Sequence, residues 1–143
     1  MADITTYSAK NVQVSLDGRD VRGLWEGDDA VSVARNASRG TPMVGADGRT
    51  IFSTSADESA IITLKLQHTS AAHSYLRAVE RSMTAGSVRK FPVSVRDTES
   101  NEGGSAAECI IMEAPTMSSG VNATEREWQI FAGRWQWNEV RFE

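Results

Sequence analysis

Apolar and polar residues alternate with a period of two along most of the chain, and a helical period replaces that alternation only once. Val12, Val14 and Leu16 alternate with polar residues until Asp17-Gly18 supplies a turn, which predicts a first strand. Residues 21–25 form a second short extended piece, broken by the acidic turn Glu26-Gly27-Asp28-Asp29. Residues 30–36 (AVSVARN) alternate again, with Val31 and Val33 on one face. Residues 50–56 (TIFSTSA) and 60–67 (AIITLKLQ) are expected to pair as a hairpin around Asp57-Glu58-Ser59. In the second of these, Ile62, Leu64 and Leu66 share one face, and Ile61, Thr63, Lys65 and Gln67 share the other. The first offers Ser53 and Ser55 on one face and Thr54 and Ala56 on the other, so its second half has no core face. Such a strand faces water, a partner or a cavity.

The helical period runs through Ala72, Leu76, Val79 and Met83, spaced i, i+4, i+7, i+11. It predicts one amphipathic helix over about residues 70–85, with Thr69 or Ser70 as its N-cap and Gly86 as a left-handed stop. Tyr75 flanks the buried stripe, and Arg77, Glu80 and Arg81 face outward. Further on, Phe91, Val93 and Val95 alternate. Pro92 cannot donate to a ladder, so that strand is expected at an edge or to begin there. Residues 107–114 predict another strand between loops at 98–105 and 115–124. Residues 125–132 put Trp128, Ile130 and Ala132 on one face, and Gly133 breaks the run. Trp135 and Trp137 then share a face, placed either in the core or against a neighbouring subunit.

One long segment has no clear period. Residues 37–49 (ASRGTPMVGADGR) hold three glycines, one proline and the exposed-looking Met43 and Val44, and read as a long loop, functional or ordered by a partner, the alternative being a flexible loop with incidental apolar residues. The sum is a mainly β chain: an antiparallel β-sandwich or partial barrel of about seven or eight strands with one helix. At 143 residues, 40% hydrophobic and 24% charged, a single domain over 1–143 with a modest core is expected.

Charge and chemistry narrow the function mainly by exclusion. Net charge is −4 with Lys and Arg scattered, unlike the clustered basic surface that tight nucleic-acid binding needs. No apolar run reaches membrane-spanning length, and MADITTYSAK lacks the apolar region of a signal peptide. The single Cys109 excludes an internal disulfide and suits a reducing compartment; without a secretory signal the sequons at Asn36 and Asn122 read as chance. P-loop, GxGxxG, HExxH, GxSxG and CxxC motifs are all missing. His68 and His73 stand five apart with no evident carboxylate or thiol partner, and read as boundary residues rather than a catalytic pair. The acidic group Asp17, Asp20, Glu26, Asp28 and Asp29 lacks the pattern of a calcium loop and reads as solvated turns. Neither a cofactor, a metal nor a catalytic residue is expected.

The order of elements carries a resemblance. The segment GADGRTIFSTSADESAIITLKLQHTS, the helix with Leu76, FPVSVRD, the next strand, the Pro115 loop and REWQIFAG together resemble the tail tube proteins of contractile-tailed bacteriophages. These are similar in fold to the inner-tube proteins of R-type pyocins and type VI secretion. The likeness covers residues 7–132 and is weakest after Gly133. It implies hexameric rings that stack into a tube conducting DNA to the host, in a virion tail assembled in the host bacterial cytoplasm. The partners it implies are further copies of the chain, a tail sheath, baseplate or initiator proteins and a tape-measure protein, with transient, non-specific passage of DNA and no membrane insertion. On that reading Thr41, Pro42, Met43 and Val44 reach an adjacent ring. Ser53, Ser55, Thr63, Lys65 and Gln67 face the channel, and Arg77, Glu80 and Arg81 face the sheath. Lys65 pointing inward calls for a neighbouring carboxylate, or else the two faces of the strand are reversed. The inner tube of a bacteriocin or secretion device is the alternative within this class. A monomeric β-sandwich binding module with a discrete pocket is the alternative outside it.

Overall fold

A computed structural model of the chain describes Ile4, Tyr7, Ser8, residues 11–83 and residues 86–140. The described residues hold ten strands and one helix, in the order β1 (Val12–Leu16), β2 (Arg19–Asp20), β3 (Val31–Arg35), β4 (Gly40–Val44), β5 (Thr50–Thr54), β6 (Ala60–Leu66), α1 (Ala72–Ser82), β7 (Phe91–Asp97), β8 (Gly103–Glu113), β9 (Arg126–Ala132) and β10 (Gln136–Trp137). Eight of the strands form one antiparallel sheet in the order β2-β1-β7-β8-β9-β6-β3, with β10 added beside β8. The path does not close, because β2 and β3 stand at its two ends. A mainly β chain with one helix is therefore the observed architecture.

Strand alternation sets the core. On β6 every second residue is buried, and Ile62 pairs with Ile130 and Leu64 with Trp128 across the β6–β9 ladder. Val14 and Leu16 of β1, Phe91, Val93 and Val95 of β7, and Ala106, Cys109 and Ile111 of β8 complete the same cluster. Side chains such as Ile62, Leu64, Leu66 and Ile130 are fully buried, each contributing roughly 1.5–3 kcal/mol of transfer free energy. The helix covers this core with Leu76 and Val79, while Ala72, Tyr75 and Met83 pack at its margin. Tyr75 meets Phe91 edge to face, with ring centroids 6.2 Å apart.

Glycine does specific work at the start of β8. A side chain on Gly103, whose φ is +138°, would collide with the Val95 carbonyl, and one on Gly104 would lie 2.8 Å from the Trp135 indole. The indole thus packs directly against the β8 backbone, with Trp135 only 3% exposed. Trp137 meets it edge-on at 5.7 Å but is 47% exposed, so the two tryptophans divide between core and surface.

Several expectations need correction. Residues 50–56 do not pair with 60–67. β5 pairs instead with β4, across a turn in which Gly45 N–H donates to the Arg49 carbonyl at 2.8 Å and Gly48 takes φ +84°. The Gly-Ala-Asp-Gly turn supplies the left-handed position a hairpin needs, so β5 takes its partner from the preceding segment. At Asp57 the carboxylate instead accepts from Ser59 N–H at 2.9 Å and Ser59 Oγ–H at 2.6 Å, which redirects the chain rather than folding it back. The expected loop at 37–49 consequently contains strand β4, Gly40–Val44. β7 is central, flanked by β1 and β8, and a bulge between Phe91 and Val93 accommodates Pro92 beside β8. The expected loop at 98–105 is shorter, since β8 begins at Gly103. The helix ends at Ser82, with Met83 already extended, so Gly86 (φ +81°) belongs to a later turn. Thr84 and Ala85, the last residues of the expected helix, lie outside the described residues, as does most of MADITTYSAK. At the other end, Ser70 Oγ accepts from Ala72 N–H at 3.3 Å, although the capping position itself is Ala71.

Candidate assembly surfaces

Three surfaces gather the residues singled out from the sequence. The first is the β4–β5 arm. Its register sets Met43 opposite Ile51 and Thr41 opposite Ser53 on one face, and Pro42 opposite Phe52 and Val44 opposite Thr50 on the other. Met43, Val44, Ile51 and Phe52 are 55–65% exposed, so the arm is apolar on both faces and covered on neither. A lone two-stranded hairpin is marginal in water, and an exposed apolar patch of this kind marks a contact surface. Its root is firmly tied. Ser55 N–H donates to the Arg39 carbonyl at 2.8 Å, Arg35 Nη2 to the Asp57 carbonyl at 2.8 Å, and Asn36 Nδ2 to Ser59 Oγ at 2.8 Å.

The second surface is the side of β3, β6, β9 and the end of β8 turned away from the core. Cross-strand pairing lines up Ser32, Thr63, Gln129 and Glu113 in one polar row. Beyond it, Lys65 sits opposite Glu127. Lys65 Nζ donates to Asp29 Oδ2 at 2.7 Å, so the carboxylate expected beside it is present. That hydrogen bond holds the Lys65 ammonium above its ordinary range and the Asp29 carboxyl below its own. With Asp29, Glu113 and Glu127 against one lysine, the surface leans acidic. Gln67 lies past the end of β6, its amide donating to the Leu24 carbonyl at 3.1 Å. Ser53 and Ser55 are not brought here. Ser53 belongs to the arm, and Ser55 sits at the arm's root, its hydroxyl accepting from Asp57 N–H.

The third surface is the helix. Arg81 is exposed, whereas Arg77 lies 5.1 Å over the Trp128 ring and 3.5 Å from Glu80. Beneath it, Trp128 Nε1–H donates to His73 Nδ1 at 3.1 Å, and His73 Nε2–H in turn donates to the Gln67 carbonyl at 2.9 Å. His73 is thus a bridge between helix and sheet. His68 accepts from Arg126 Nη2 at 3.3 Å, and the same guanidinium, 6% exposed, donates to the Ser118 carbonyl at 2.7 Å. Both histidines are engaged in structural hydrogen bonds. From the sequence Asp29 reads only as part of a solvated turn and Arg126 does not stand out, because both lie far along the chain from their partners. Ile51 and Phe52 do not stand out as arm residues either, although the Asp-Gly turn between two short extended runs is a hairpin signal. Among the described residues no three His, Cys, Asp or Glu side chains converge as a metal site, and no helix is long and apolar enough to cross a membrane.

An open sheet with a polar row beside an apolar Ala34-Ile61-Phe131-Ile110 row on its outer side, and with an uncovered arm, is a shape suited to assembly. A model of the family described as Bacteriophage PhiTE tail tube protein matches residues 4–138. The chain belongs to that family. It is a structural tail tube protein and a component of a virion tail. No curated protein matches it in sequence. Among solved structures, the sheath/tube terminator of an extracellular contractile injection system (PVC, extended state) is similar with a TM-score of 0.69 and 13% identity, over 96% of this chain and 99% of that one. A chain of the PVC sheath-tube complex in the extended state is similar at TM-score 0.66 and 14% identity, over 94% of this chain and 93% of that one. The tube-terminating cap of the anti-feeding prophage is similar at TM-score 0.66 and 11% identity, over 97% of this chain and 95% of that one. At these identities the likeness is one of fold, and the fold is that of contractile-injection tube and terminator chains.

Proposed function

We propose that this tail tube protein closes into hexameric rings that stack as the inner tube of a phage tail, giving DNA a channel into the host. The observation that carries the proposal is the arm: a firmly rooted hairpin, apolar on both faces and uncovered in the isolated subunit. Such a hairpin is stable only when a neighbour covers it, and Thr41, Pro42, Met43 and Val44 supply one of its two strands to that contact. The free edges of β2 and β3 add a second reason, because ring closure removes edges that would otherwise recruit strands at random.

The Ser32-Thr63-Gln129-Glu113 row, with Lys65 and Gln67 beyond it, then lines the lumen. With an acidic excess in this row and only the uncharged Ile61, Phe131 and Ile110 beside it, the wall repels phosphates weakly over a Debye length, which keeps a passing duplex from sticking. Lys65, neutralised by Asp29, offers DNA no free cation. Ser53 and Ser55 go with the arm and its root instead. Arg81 on the helix is the residue of the expected sheath surface most open to a partner, since Arg77 and Glu80 already engage each other. Sheath, initiator and tape-measure proteins are the partners this arrangement calls for, with assembly in the host cytoplasm. The similarity to PVC and anti-feeding-prophage chains favours one alternative within the same class, the tube of an injection device. Electron microscopy of the purified protein across a concentration and salt series, with initiator proteins added, tests the proposal. Rings or hollow tubes are expected, and a subunit that stays monomeric throughout overturns it.

A further inference from the structure

The arm needs a place to dock, and the other half of the sheet offers one. Ser15, Ser94, Ser105 and Gln136 lie directly across from one another on β1, β7, β8 and β10, forming a single row on the side away from the core. Strands normally carry β-branched or aromatic residues, so a row of serines leaves unusual space above the sheet. An open groove of about 760 Å³ occupies that space. A second hollow of about 380 Å³ at the root of the arm shares Gly133 and Arg134 with it, so the two make one trough from β1 to the arm's own root.

We propose that this trough is the socket for the β4–β5 arm of a second copy of the chain. The inference rests on the tube reading and names the surface the arm meets. Three observations support it. The arm does not occupy the trough of its own subunit, since Met43, Val44, Ile51 and Phe52 remain more than half exposed. Volume is complementary: the arm carries the large side chains that the serine floor lacks, and buried apolar anchors set in pockets are what make an interface bind. Charge is complementary too. Glu108 and Arg134 stand along the trough, and Asp47 and Arg49 stand at the arm's tip. Their present ion pairs, Arg134 with Glu58, Glu108 with Lys90 and Arg49 with Asp47, are solvent-exposed and exchange at little loss.

The trough's end beside the arm root gives the contact a direction. A docked arm finishes where the host subunit's own arm departs, so each subunit receives one arm and extends another. That is a head-to-tail, heterologous contact, which propagates rather than closing on a single pair.

The test mixes full-length Met43→Cys subunits with full-length Ser105→Cys subunits, assembles them and adds a flexible bifunctional maleimide. Cys109 is fully buried and stays silent. The expected result is a cross-linked dimer of one subunit of each kind, absent when Ser32→Cys on the opposite half of the sheet replaces Ser105→Cys. A second variant, Ser105→Trp, fills the trough. It is expected to raise the concentration threshold for assembly roughly tenfold or more while the subunit melts at an unchanged temperature. Tubes that form normally but cross-link through Ser32→Cys, or that tolerate Ser105→Trp, overturn the socket and leave the tube reading standing. A wild-type chain that never assembles overturns both.

Discussion

Replacing Phe52 by serine separates the arm's role in assembly from the stability of the subunit. Phe52 is 55% exposed in the isolated chain. A phenylalanine has about 200 Å² to bury, so docking the arm removes about 110 Å² more of its surface from water. At about 25 cal/mol per Å² that burial is worth about 3 kcal/mol per arm, about two decades in the association constant. Phe52→Ser forfeits nearly all of it. The core cluster does not include Phe52, and the ring packs over Gly40 within its own arm. The subunit's thermal midpoint should therefore move by about 2 °C at most, since surface changes away from the core usually stay within about 0.5 kcal/mol. Sedimentation across a dilution series reads the assembly threshold, and circular dichroism reads the melt. The threshold should rise about a hundredfold. Tubes forming at the wild-type concentration would refute the arm as an assembly element, and a lost fold would refute its independence from the core.

Trp128→Phe should destabilise the subunit by about 2–4 kcal/mol in urea unfolding, because it removes the indole donor to His73 and leaves a cavity under Arg77. The Asp29 carboxyl, held below its ordinary 3.8 mainly by the hydrogen bond from Lys65, should return to that value in Lys65→Met when followed by NMR titration. The sign is that of a depressed acid: the pair's contribution is present above about pH 4 and fades as pH falls through the folded value. Burial pushes the Cys109 thiol up to about 11, so it should resist thiol reagents at pH 8 until the protein unfolds. Labelling of the native subunit would contradict its placement in the core.

The legible part of this sequence was periodic. β6, α1 and β9 bury one stripe against one core, so their alternation or helical spacing appears directly in the residues. The arm was harder, because its apolar residues serve both faces and leave no period to read. Residues 50–56 looked like the partner of 60–67 because chain neighbours usually pair. The left-handed turn at Gly48 decided otherwise. Pro92 suggested an edge strand, and only the bulge beside it shows how a proline fits a central one. The Lys65–Asp29 and His68–Arg126 contacts join residues 36 and 58 positions apart, a distance over which the pattern along the chain carries no pairing information. The serine row was invisible for the same reason: each serine is unremarkable in its own strand, and only the register sets them side by side.

Helical reconstruction of the assembled tube at side-chain resolution decides whether the chain builds a hexameric tube in this orientation. Six subunits per ring, Thr63 and Gln129 facing the lumen, and each arm buried against a neighbouring subunit are expected. A tube with that sheet face turned outward, or with Met43 and Phe52 still open to solvent, would contradict that arrangement.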